Sequence, residues 1–209
     1  MSAPRITFVV LAASLLSVTA TFASRYPYAP KPNIVPDAKD ALAGEYKLDP
    51  AHTSVTMRLS HMGLSHYTIR FNGVQGHYAY DPARPTASKI EVNIDPNSID
   101  TGNPKFNTMI SKEFFESDKF PSISFSSNAI RAVGNHGAVE GVLTLHGVNR
   151  PLSLDVSYNG YKNQEEPHRM GFSATTTLKR SDFDVDAYAP IESDQVDVII
   201  EAEFIKAQS

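Results

Sequence analysis

Seven histidines and a scatter of carboxylates are the residues of this chain best suited to chemistry. His52, His61, His66 and His77 fall within one early stretch. The chain has no cysteine, so a bound metal would need imidazole and carboxylate ligands. The spacing speaks against such a site. His61 and His66 straddle Gly63 at a separation that matches neither one helix face nor one strand face. Hydrolytic chemistry fares no better. No serine sits in the Gly-x-Ser-x-Gly turn that exposes a nucleophile, and there is no glycine-rich phosphate loop. Asp49, Asp81, Asp100, Asp182 and Asp184 stand beside Pro or at segment ends, where Asp caps turns. No catalytic residue, metal site or cofactor is expected, and the chain reads as a non-enzyme. The early histidines leave a metal-dependent enzyme as the weakest of three readings.

The elements that would position these residues have period two. Val55, Met57 and Leu59 alternate with polar neighbours, as do Tyr67, Ile69 and Phe71, and Ile90, Val92 and Ile94. The pattern continues through Ile123 and Phe125, through Val139 to Leu145, Leu152 to Tyr158, Met170 to Ala174, and Val196 to Phe204. Successive side chains of a strand point to opposite faces, so each segment is a strand with one apolar and one wet face. Such half-wet strands suit an antiparallel sheet. Asn72-Gly73, Asp81-Pro82, Gly134-Asn135 and Asn159-Gly160 punctuate them as turns. One segment departs from the pattern. Over 103–116, Phe106, Met109, Ile110 and Phe114 recur at helical spacing behind a capping Asn103 and a first-turn Pro104. The expected fold is all-β, either a sandwich or a closed up-and-down barrel, with one short amphipathic helix. Periodicity alone leaves the two architectures open.

Near the start of the 209 residues, Arg5 precedes an apolar run over 6–19. Small residues near 20 and 23 follow, the pattern of a cleaved signal peptide over 1–23. That run is short for a span. The expectation is an exported chain, periplasmic in a Gram-negative cell, that does not cross the membrane once the signal is removed. Residues 24–44 carry Pro27, Pro30, Pro32 and Pro36 and read as a linker or loosely docked arm. Residues 45–206 read as one domain, and about 160 residues suffice for a core without disulfides. The net charge of −4 argues against nucleic acid, which needs clustered Lys and Arg. No feature of the residues sets the oligomeric state, and a homodimer is among the options.

Several strings, taken in order, resemble the YceI-like family of exported polyisoprenoid-binding proteins. They are Tyr46-Lys47-Leu48-Asp49-Pro50-Ala51-His52-Thr53-Ser54-Val55, Leu59-Ser60-His61-Met62-Gly63 and Phe71-Asn72-Gly73-Val74-Gln75-Gly76. Ser98-Ile99-Asp100-Thr101, Phe114-Phe115, Phe120-Pro121 and Ser124-Phe125 follow. The series ends with Gly141-Val142-Leu143-Thr144-Leu145-His146-Gly147-Val148-Asn149-Arg150-Pro151, Gly171-Phe172 and Lys179-Arg180-Ser181-Asp182-Phe183. The resemblance implies an extended, lipocalin-like antiparallel barrel around a long apolar chain. It turns the apolar stripe into a cavity lining, with Val55, Met57, Leu59, Ile69, Phe71, Phe106, Met109, Phe114, Phe125, Leu143, Phe172 and Val198 as ligand-binding candidates. The implied partner is an isoprenoid lipid, such as an isoprenoid diphosphate or quinone, or a fatty amide. A charged head would want cations at the barrel mouth, and Arg150, Lys179 and Arg180, near expected strand ends, are the candidates. The alternative is a filled barrel that acts as a stress-protective or interaction module without ligand. Two departures from the family pattern stand out. Many relatives carry a His-Leu pair before the Phe-Phe, where this chain has no histidine, and Gly after the Asp-Phe, where it has Asp184.

Overall fold

The structure, a computed structural model, describes residues 34–163, 167–189 and 191–208. The signal peptide expected over 1–23 and the first part of the Pro-rich segment lie outside the described residues. The strands are β1 (Ile34–Val35), β2 (Gly44–Leu48), β3 (Ser54–His61), β4 (Ser65–Phe71), β5 (Val74–Tyr80), β6 (Lys89–Ile94) and β7 (Ile99–Asp100). The helix α1 (Pro104–Met109) follows, then β8 (Ile123–Val133), β9 (His136–Leu145), β10 (Val148–Lys162), β11 (Arg169–Lys179) and β12 (Glu192–Lys206).

Eight of these strands close a circuit in which every pairing is antiparallel: β2, β5, β6, β8, β9, β10, β11 and β12. The barrel alternative, open on periodicity alone, is therefore the architecture. Closure depends on the length of β12. Its last residues, Phe204–Lys206, pair with β2, while Glu192–Glu201 pair with β3 on the same edge. β3, β4 and β7 thus form a leaf that extends the wall beyond the circuit. The alternation drives this arrangement. Along β5 every second residue from Val74 to Tyr80 is buried, and the same holds along β9 from Val139 to Leu145. Close approach of β8 and β9 requires Gly141: a Cβ there would stand 2.4 Å from the Ser126 carbonyl and 2.6 Å from the Phe125 ring.

The two ends of the barrel differ. At one end Tyr46 and Tyr161 are wholly buried, and Tyr78 packs edge-on against Phe172 and Phe204 with ring centroids 5.6 Å apart. Residues 34–44 dock at this tyrosine end. β1 pairs with the end of β10, Tyr80 Oη donates to the Ala38 carbonyl and Tyr46 Oη to the Leu42 carbonyl, each at 2.6 Å. The other end carries α1. Its Asn103 caps through Lys105 N, and Pro104 opens the first turn, as the sequence expects. The helix then widens into a π turn over Ile110–Phe114, with Phe115 N donating to the Ile110 carbonyl. Asp184 has φ +56°. That left-handed conformation favours Gly but is tolerated by Asp.

Candidate ligand-binding cavity

The inward faces of the strands do not fill the barrel. A cavity of about 240 Å³ runs along its interior. On β8 the lining extends from Ile123 to Ala132, about 30 Å of strand or about 23 Å of barrel axis at a typical tilt. The cavity is therefore long and narrow, suited to a chain more than to a compact ring system. Of the twelve candidates named from the sequence, Val55, Met57, Phe71, Phe125, Leu143, Phe172 and Val198 line it. Leu59 and Ile69 are buried in the core without lining it. Phe106 is 46% exposed, Met109 is half-buried, and Phe114 stacks on Tyr188 at 5.4 Å. Phe115 lines the cavity in place of Phe114 and meets Phe71 edge-on at 5.8 Å. The physical reason is the π turn, which inserts one residue per turn relative to an α-helix and rotates the following residue inward.

Further lining residues come from positions that alternation does not single out. Ala38 from the docked arm, Pro85, and the hairpin tip over Gly134–Ala138 close the tyrosine end. Thr53, just before β3, brings a buried hydroxyl with no partner among the described residues, and so does Tyr158. Burial pushes the phenols of Tyr78 and Tyr158 well above their ordinary value, so both remain protonated. No carboxylate lines the cavity among the described residues, and its one guanidinium, Arg131, is held bidentately by Glu140 at 2.8 and 3.1 Å.

The three head-group candidates lie outside the cavity lining. Arg150 and Lys179 are exposed. Arg180 is buried, and its guanidinium donates to the carbonyls of Ser193, Val185, Ala187 and Glu192 at 2.9–3.1 Å. Its donors are occupied in fastening the loop that joins β11 to β12, so it acts as a structural clamp.

The early histidines do not converge. His52 Nδ1 lies 2.8 Å from Asp49 Oδ2, His61 faces Glu192 at 3.5 Å, and His77 pairs in register with Glu91. Asp49, His52 and Glu203 bring one possible ligand atom each within 4.8 Å. That position is already spanned by Arg169, whose Nη1 bonds both Asp49 and Glu203. The guanidinium also holds the Asp49 carboxyl down at about 2, with His52 and the Ala51 amide assisting against partial desolvation.

Comparisons with known proteins agree with this architecture. The YceI-like domain model matches residues 46–204. A UPF0312 protein of Pectobacterium atrosepticum is 32% identical over 203 residues, covering 94% of this chain and 99% of the relative. A UPF0312 protein of Shewanella baltica is 36% identical over 152 residues, covering 69% and 78%. Among solved structures, BcnA of Burkholderia cenocepacia superposes with a TM-score of 0.66 at 23% identity, covering 75% of this chain and 98% of that one. A polyisoprenoid binding domain from Saccharophagus degradans gives 0.60 at 18% identity, covering 79% and 100%, a likeness of fold. A matching domain model that spans the closed barrel, together with relatives above 30% identity over most of their length, shows that this chain belongs to the YceI-like family.

Proposed function

We propose that this chain is an exported carrier that sequesters a lipid with a long apolar chain, of the isoprenoid class, in the periplasm. The observation that carries the reading is the cavity itself: long, narrow, walled by aliphatic and aromatic side chains, and without an unpaired charge. Each buried methylene contributes roughly 0.8 kcal/mol, so ten to fifteen give about 8–12 kcal/mol gross. Immobilising ligand and side chains costs several kcal/mol of that, and micromolar binding, about −8 kcal/mol, remains within reach. A diphosphate buried in this lining would meet no free cation, and an unpaired buried charge is prohibitively costly. The reading is therefore an isoprenoid whose polar end is uncharged or lies outside the cavity. The polyisoprenoid binding of the S. degradans neighbour supports the ligand class. The apolar run over 6–19 and the small residues after it support export.

The test is direct. Protein purified from the periplasm of an expressing cell is extracted with organic solvent and the extract is read by mass spectrometry. An isoprenoid lipid recovered in near-stoichiometric amount is the expected result. Recovery of no lipid, together with no binding of added isoprenoid alcohols by the folded protein, overturns it.

A further inference from the structure

Between β10 and β11 the barrel wall is laddered only part of the way. The register runs from Lys162↔Arg169 to Asp155↔Thr175 and ends there. Beyond it, towards the α1 end, Val148–Leu154 stays bonded to β9, and Thr176–Lys179 stays bonded to β12. The two lips of this seam are bridged by a side chain, Thr176 Oγ1 donating to the Ser153 carbonyl at 2.8 Å. Both lips carry cavity-lining residues, Leu152 and Leu154 on one, Thr176 and Leu178 on the other. Outside lies a wider groove of about 660 Å³, walled by Ser153, Asp155, Thr175, Thr177 and Asp197. Leu154, Thr176 and Val198 line both groove and cavity. The narrow cavity and the wider outer groove, whose wall also carries Val133, His136, Ala138 and Ile199, therefore meet at the seam.

We propose that the polar end of the bound lipid passes through the β10–β11 seam and is held in this outer groove, and that the head is an uncharged hydrogen-bond donor of the hydroxyl or polyol class. The proposal rests on the reading that the cavity holds an apolar chain. The groove carries two carboxylates, the His136 imidazole and four hydroxyls, one of them the Thr176 hydroxyl already donated to Ser153, with no lysine or arginine in its wall. The nearest cations by register stand outside it. Arg58 is opposite Asp197 on β3, Lys179 lies two positions beyond Thr177, and Arg150 is on the inner face of β10 beyond Leu152. A phosphate would face the two exposed carboxylates of Asp155 and Asp197 and be disfavoured by like charge, an effect that salt weakens. A hydroxyl would donate to either carboxylate in a charge-assisted bond. The Thr177 hydroxyl now makes only a long bond to Asp197, 3.2 Å, which a ligand hydroxyl can replace. Strand edges that lack a ladder partner also need hydrogen bonds from elsewhere, and a polar head lying along the seam supplies them.

The absence of native cysteine makes the test clean. Ser153 and Thr177 sit two positions beyond the last paired residues, Asp155 and Thr175, with side chains on the outer face. The Ser153→Cys/Thr177→Cys variant is delipidated and its uptake of N-phenyl-1-naphthylamine is followed by stopped-flow fluorescence, oxidised and reduced, with far-UV circular dichroism as the fold control. Oxidation is expected to slow uptake at least tenfold and reductant to restore it. If the thiols do not couple, Thr177→Cys alkylated with N-ethylmaleimide puts bulk in the groove and is expected to slow uptake likewise. Displacement of the fluorophore by farnesol and by farnesyl phosphate then reads the head group. The wild type is expected to prefer farnesol by about tenfold or more, and Asp155→Asn/Asp197→Asn to narrow that preference to within about threefold. Unchanged uptake when the seam is locked or blocked, or a head preference indifferent to the two aspartates, overturns the proposal. A folded wild type that binds neither fluorophore nor farnesol instead overturns the underlying reading of the cavity.

Discussion

Two side chains show how residue chemistry and residue role part company. Arg180 is charged and near a strand end, the position a head-group ligand would occupy, yet its guanidinium is consumed by four backbone carbonyls. Replacing it strands those acceptors in a buried place. Arg180→Ala is expected to cost about 3 kcal/mol or more and Arg180→Lys roughly half of that, since one ammonium cannot reach four carbonyls. Urea denaturation measures both, and the head-group preference of the folded variants should match that of the wild type. Asp49 belongs to the string Asp49-Pro50-Ala51-His52, and its metal-like company with His52 and Glu203 is already neutralised by Arg169. Its carboxyl titrates at about 2, below the ordinary 3.8. A depressed carboxyl stabilises the fold above its unfolded value and loses that contribution as pH falls through the folded one. The urea midpoint of the wild type should therefore drop between about pH 4 and pH 2 through this group. Asp49→Asn should start lower at neutral pH and fall less steeply over that window, the two curves drawing together near pH 2. Parallel curves would remove Asp49 from the acid transition.

At the scale of the element, the strands obey their period and the helical segment does not. Alternation placed Val55, Met57, Phe71, Phe125, Leu143, Phe172 and Val198 on inward faces, and these line the cavity. Helical spacing over 103–116 pointed to Phe106, Met109, Ile110 and Phe114, but the π turn over Ile110–Phe114 brings Phe115 inside and leaves Phe114 against Tyr188. Nothing in the residue pattern signals a widened turn, because its hydrogen bonds are chosen by how the segment seats on the barrel end. Phe115→Ala is expected to cost about 3–4 kcal/mol, the range for a buried aromatic. Phe114→Ala should cost about 1 kcal/mol, the worth of one half-exposed ring stack. Thermal or chemical denaturation of the pair decides it: equal costs would mean that the turn does not seat as described. Leu59 and Ile69 teach the same lesson in a strand. Their faces are inward and buried, yet they pack the core without lining the cavity, although Val55, Met57 and Phe71 of the same β3–β4 leaf do line it.

For the molecule as a whole, a chain held along the barrel axis acts as part of the core. A ligand that binds only the folded state adds about 2.7 kcal/mol at a hundredfold excess over Kd, and about 2–4 °C accompanies each kcal/mol in a domain of this size. Delipidated protein should therefore melt about 5–10 °C below the same protein reloaded with its extracted lipid, read by differential scanning calorimetry. Identical melting temperatures would mean a barrel stable without filling. The amino-acid sequence by itself determined most of the strands, though not β2 or β5, which face of each is apolar, that a helix starts at Asn103 and Pro104, and that the chain cannot rely on disulfides or a thiolate. Those are local properties, set by the direction of successive Cβ atoms and by residue type. Only the tertiary structure decided that the sheet closes, since closure depends on β12 sharing one edge between β2 and β3. It alone decided that the apolar faces leave a cavity rather than a filled core, and that Arg180 is spent inside while Arg131 and the β8–β9 hairpin reach the cavity. Closure, void volume and the pairing of buried charge depend on how distant strands meet, and no window of neighbouring residues contains that information.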